Sequence, residues 1–181
     1  MELKKIIREE LLKENVEQYL NAISKVTSGD QNKYYQWQID NLTKVPIESY
    51  KSSNKLKSKV NDLIKRMNRF GGSDSFCQKK GCFDTAYSTT MYISSLDIHY
   101  VEGYVDSLIP IVHAWNYFPE ENIYFDLIND VAWGGEDSHF KSYYKIVTMD
   151  RNEVAKWSSI TGYGGGFMES PQYIESIIEN E

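Results

Sequence analysis

Residues 99–128 read HYVEGYVDSLIPIVHAWNYFPEENIYFDLI, and the fold class turns on them. His99 to Asp106 alternates in character and ends in turn residues, the period-two pattern of a strand. Ile109 to Tyr117 supplies a second strand. Pro119, Glu120, Glu121 and Asn122 are turn chemistry, and Ile123 to Ile128 follows as a third strand, so 109–128 reads as a hairpin. Tyr143 to Thr148 predicts a fourth strand.

Helical patterns flank this block. Over residues 2–26, Leu3, Ile6, Ile7, Leu11, Leu12, Val16, Tyr19, Leu20, Ile23 and Val26 recur at steps of three and four, with Glu and Lys on the other face. This amphipathic helix docks on the core or serves a homo-oligomer. A shorter helix over 33–43 stops before Pro46, because proline lacks the N–H a helix interior needs. A third covers about 55–68, and its basic residues, Lys55, Lys57, Lys59, Lys65, Arg66 and Arg69, form the local positive patch. Gly71 to Ser75 reads as a loop, and a helix begins at or just after Cys82. Near the C-terminus, Asp150 can cap a helix over 151–160 and Pro171 can open another over 171–179. Gly162 to Gly166, between them, reads as a flexible loop and a candidate lid. The expected organisation is a helical N-terminal region, 1–70, and a core, 71–181, in one compact domain of the α+β class. In it, the N-terminal helices and the Cys82 helix pack on a small antiparallel sheet.

The chain has 181 residues, 41% of them hydrophobic, enough for a sizeable core. Its net charge of −6 repels phosphate backbones and argues against nucleic-acid binding. No apolar run is long enough to span a bilayer, and the N-terminus lacks the pattern of a signal peptide. The expectation is a cytoplasmic protein, of the producing cell or of a host, that does not bind membranes. Fourteen tyrosines suit a packed sheet, an interface or a groove. Cys77 and Cys82, with four residues between them and no second cysteine pair, make a poor zinc signature and read as free thiols. No metal and no cofactor is called for.

The chemistry lies in three residues. Cys82 at the first turn of a helix meets the positive end of the helix dipole and unpaired N–H groups, which favour a thiolate and can hold an oxyanion. His113 on one strand of the hairpin and Asp126 on the next come close enough for the carboxylate to hold the imidazole. Nucleophile, base and orienter are the parts of an activated cysteine. Each residue also has a plainer reading: Cys82 a small buried hydrophobe, His113 a hydrogen-bonded core residue, Asp126 a cap at a strand end. Three further residues are candidates for contacts with substrate or oxyanion: Gln78, just upstream of the thiol; Glu102, a charge in mid-strand; and Trp115, in the core or in a pocket wall.

The sequence Cys82-Phe-Asp-Thr-Ala, then Tyr100-Val-Glu-Gly-Tyr104, then Ile109-Pro-Ile-Val-His-Ala-Trp115, then Phe125-Asp126, resembles small bacterial and phage proteins of the papain-like, transglutaminase-like superfamily. The resemblance covers roughly residues 80–134. It implies an α+β fold with the nucleophile on a helix and His and Asp on an antiparallel sheet, and Cys82, His113 and Asp126 as the triad. Thr85 stands where that family usually has Asn, and Leu127-Ile128 replaces its usual Pro-Thr. The expected activity is that of a cysteine hydrolase or acyltransferase on an amide, isopeptide or thioester carbonyl, with a protein, a peptide or a small amide as substrate. The alternative is an inactive protein of the same fold that sequesters a small molecule or inhibits a host protein. A metal site joining His113 to Cys82, Asp126 or His99 is disfavoured by spacing.

Overall fold

The computed structural model describes residues 16–70, 77, 81–107, 109–134, 140 and 142–179. The chain is mixed α+β, with one antiparallel sheet. Three helices lead: α1 (Val16–Val26), α2 (Asp30–Asn41) and α3 (Asn54–Phe70), with the short strand β1 (Thr43–Val45) between the last two. Helix α4 (Cys82–Tyr92) precedes β2 (His99–Val105), β3 (Ile111–Phe118) and β4 (Ile123–Phe125). A π-helical turn (Ile128–Ala132), β5 (Tyr143–Met149), α5 (Arg151–Thr161), a 3-10 turn (Phe167–Glu169) and α6 (Pro171–Ile178) complete the chain. Among the described residues no helix is long and apolar enough to cross a membrane.

The sheet order is β1-β5-β2-β3-β4, every neighbour antiparallel. Two departures from the sequence reading matter. Residues 43–45 form an edge strand on β5, so the N-terminal region contributes to the sheet itself. The third expected strand stops at Phe125, because Asp126 turns the chain into the π-helical turn instead of extending it to Ile128. The helix expected over 2–26 is described from Val16 onward; its first half lies outside the described residues, as does the Gly71–Ser75 loop. In α1, Val16 and Leu20 are buried against the core while Val26 is exposed. Asp150 caps α5 with a capping box: its side chain accepts from the Glu153 N–H, and the Glu153 side chain accepts from the Asp150 N–H. Ser170 and Pro171 open α6.

Residues opposite each other in an antiparallel pair share a face. Tyr100, Glu102 and Tyr104 of β2 stand opposite Asn116, Ala114 and Val112 of β3. On this face the helices pack, burying Leu20, Tyr34, Ala86, Val154, Phe167 and Tyr173 with Tyr100, Tyr104 and Ala114. Val101, Gly103 and Val105 stand opposite Trp115, His113 and Ile111 on the other face, where Val45, Val101, Val105, Trp115 and Tyr143 form a smaller aromatic core. A third cluster ties Leu56, Val60 and Leu63 of α3 to Cys82, Phe118, Phe125, Leu127 and Ile128. The Leu127-Ile128 pair is thus core packing.

Gly103 sits opposite His113, and the β2–β5 register shifts between Glu102 and Gly103. A Cβ there would lie 2.0 Å from the Tyr144 carbonyl oxygen, so only glycine lets β5 come this close behind His113.

Candidate active site

Cys82 is the first residue of α4, as its sequence context predicts. Its N-cap is Gly81, and the helix ladder starts with Thr85 N–H donating to the Gly81 carbonyl at 2.9 Å. A glycine offers no side chain to cap the turn, so the N–H groups around Cys82 stay uncapped by it. Asn116 fixes the helix on the sheet: its Nδ2 donates to the Ala86 carbonyl at 3.0 Å and to Thr90 Oγ1 at 3.1 Å. β4 pairs only with Asn116–Phe118, so it ends before β3 reaches His113. There Cys82 shares a buried cluster with Phe125, Leu127 and Ile128, and its thiol lies close enough to the His113 imidazole to perturb it.

The other side of that ring belongs to Asp126. His113 Nε2 donates to Asp126 Oδ2 at 2.8 Å. Tyr143, from β5, donates its hydroxyl to the same Oδ2 at 2.9 Å. Oδ1 accepts from the backbone N–H of Ile128 at 2.9 Å and of Asn129 at 3.3 Å. One Asp126 oxygen therefore caps the turn after β4, as the plain reading expects, while the other bonds the imidazole. Asp126 is 2% exposed and has no freedom to turn.

Aromatic rings wall the imidazole. Trp115 stacks at 6.2 Å with 23° between planes, Phe140 lies at 5.0 Å, and Tyr143 at 6.0 Å. Ring faces carry negative quadrupole density, which suits a protonated ring. Burial pulls the His113 pKa down, but the Asp126 carboxylate, its hydrogen bond and the contact with Cys82 outweigh it, raising the pKa from 6.5 to about 9. Cys77 behaves oppositely: burial, and then the negative field of Asp126, push its thiol up to about 12. Neither cysteine is in a disulfide.

The raised His113 value carries a sign. A histidine whose folded pKa exceeds its unfolded one contributes stability that is full below pH 6.5 and lost as pH rises through about 9. The shift amounts to about 3 kcal/mol. Urea unfolding should lose that much between those limits, and His113→Gln should flatten the slope. An unchanged slope in the variant would show that the imidazolium is not held this way.

The remaining sequence candidates separate. Trp115 is buried and touches the imidazole, so it shapes the site from behind; its Nε1 has no partner among the described residues. Glu102 does not reach a cleft. It is 0% exposed, on the face opposite His113, and accepts from the Tyr100 hydroxyl and from the N–H of Phe167 at 2.8 Å and of Met168 at 2.6 Å. An uneasy mid-strand charge is explained by these donors. Gln78 lies outside the described residues. His99 pairs with Asp97 at 3.2 Å and sits opposite Tyr117, well along the strand from His113.

Nor is Gly162–Gly166 a loose flap. Gly166 N–H donates to the Tyr100 hydroxyl at 3.2 Å, and Gly165 lies so close to α4 that a Cβ would stand 3.0 Å from the Phe83 Cβ. The residue that sequence reasoning missed is Tyr143. It was legible as a strand residue, but nothing in one sequence says which strand lies next to β2. A cavity of about 340 Å³ opens beside Tyr143 and Phe140, bordered by residues 44–49 and by Asn129 and Asp130. Asp130 accepts from Ser49 Oγ at 3.0 Å and the Tyr50 N–H at 2.9 Å, fastening that border to the π-helical turn. In comparisons with protein-family models, curated proteins and solved structures, the chain matches none.

Proposed function

We propose that the protein is a cysteine-dependent hydrolase or acyltransferase of the papain-like, transglutaminase-like kind, acting on an amide, isopeptide or thioester carbonyl. The observation that carries this reading is the placement of one buried imidazole between the Cys82 thiol and the Asp126 carboxylate.

The steps follow from that placement. His113 takes the thiol proton, and the imidazolium is stabilised by Asp126 and the surrounding rings. The Cys82 sulfur attacks the carbonyl carbon, and the C=O π electrons move to oxygen. In this reading the first-turn N–H groups of α4, where Cys82 sits, hold the oxyanion. Collapse expels the amine or thiol, which leaves with the proton from His113, and a thioester joins the acyl group to Cys82. Water or an amine, deprotonated by His113, then releases the acyl group and restores the thiol. Tyr143 and Asp126 hold the ring for each transfer.

Low-dose iodoacetamide near pH 7, with the modified cysteine mapped by mass spectrometry, tests the reading. Cys82 is expected to label faster than Cys77 by about a hundredfold or more. Equal, slow labelling of both thiols would remove the nucleophile and leave a binding protein of the same fold.

A further inference from the structure

Helix α3 carries a feature that the chemistry at Cys82 does not use. A groove of about 490 Å³ runs between α3 and the segment that follows α4. Lys59, Lys65, Arg66 and Arg69 line its α3 wall, with Asp62 as the one acid. All four cations are exposed, and none is engaged by a carboxylate among the described residues, whereas Lys55 on the same helix pairs with Glu120. Lys65 and Arg69 stand at i and i+4, a spacing at which like charges destabilise a helix. On a chain of net charge −6 this cluster stands out.

The facing wall is prepared for an anion as well. The C-terminal end of a helix presents unpaired carbonyls and negative potential, which would repel one. Here Arg151 covers that end: its Nε donates to the Thr90 carbonyl at 2.9 Å, and one Nη to the carbonyls of Ile93 at 2.9 Å and Leu96 at 3.1 Å. What remains on the wall is the Tyr92 ring, 54% exposed, and the hydroxyl residues Ser94 and Ser95.

From these walls we infer that the groove docks an acidic stretch of polypeptide. Lys59 to Arg69 spans about 15 Å of helix, the length of about four or five extended residues. Cations spread along that length suit a row of carboxylates better than one phosphate, and arginine forks match carboxylates two bonds at a time. The overall negative charge disfavours a long nucleic-acid polyanion. The groove lies at the opposite end of α4 from Cys82, so docking stands independently of any turnover.

The test is fluorescence anisotropy with a labelled octapeptide of alternating Asp and Glu, its Asn/Gln counterpart, and a thymidine octanucleotide. The full-length protein should bind the acidic peptide saturably at low salt and leave the neutral one free. Affinity should fall by about tenfold or more in Arg66→Glu/Arg69→Glu and at high salt, and stay unchanged in Lys25→Glu, on α1. Both arginines are exposed, so near-UV circular dichroism should match wild type. Absence of saturable peptide binding, or equal affinity in the double variant, would overturn the assignment. Tighter binding of the oligonucleotide than of the peptide would overturn it too, and give the groove to phosphates.

Discussion

Replacing His113 with alanine should slow alkylation of Cys82 near pH 7 by about a hundredfold or more, while Cys77 stays slow in both proteins. The scale is that of a positioned general base, about 10² to 10⁴ in rate. Among the described residues, the imidazole is the titratable side chain set beside both the thiol and a carboxylate. Removing it takes away the neighbouring cation, a stronger influence on a thiol than a helix dipole. Asp126→Asn supplies the complementary reading. An amide can still accept at Oδ1 from the Ile128 and Asn129 N–H groups, so the turn after β4 survives, but the charge opposite the imidazolium is gone. Cys82 should then be slowed, and the stability that the carboxylate lends the imidazolium should be lost with it. If His113→Ala labels as fast as wild type, the imidazole is a packing residue and the proposed mechanism falls.

Glu102→Ala should cost the fold about 4 kcal/mol or more, read as a lower urea midpoint. Hydrogen bonds to a charged group contribute about 1.5–3 kcal/mol each, and a buried donor left without a partner costs about 1–3 kcal/mol. Three donors converge here: the Tyr100 hydroxyl and the N–H groups of Phe167 and Met168. All of them are buried with Glu102, where the Phe167–Glu169 turn packs on β2. Burial pushes the Glu102 carboxyl up, and the hydrogen bonds from Tyr100, Met168 and Phe167 pull against it. Glu102→Gln keeps the shape but offers one acceptor oxygen in place of two, so its loss should fall between alanine and wild type. A Glu102→Ala protein as stable as wild type would mean the carboxylate fastens nothing.

The elements most legible in the sequence are those whose signals are local. Asp150 with Glu153, and Ser170 with Pro171, mark helix starts through side chains only a few residues from the N–H groups they serve. The alternation over 99–118 marks β2 and β3, which are adjacent in sequence and in space. Cys82, His113 and Asp126 were legible as chemistry, and the helix start and the strand expected for the first two are found, whereas Asp126 lies just past the end of β4 and not on a strand. What single-sequence reading misses is long-range. Thr43–Val45 is too short to show a period, and becomes a strand only because β5 offers it an edge. Tyr143 joins Asp126 across the sheet order, which sequence order does not give. Glu102 reads as a surface or substrate charge because its donors lie about 65 residues downstream.

The pairing of β1 with β5 also sets a timetable. Thr43 meets Lys145, so the first strand to leave the ribosome waits for about 100 further residues before it finds its neighbour. Cys82 emerges well before the three side chains that would awaken it, and Tyr143 is the last of those to arrive. The thiol and the imidazole can meet only after β3 has been made and has packed against α4.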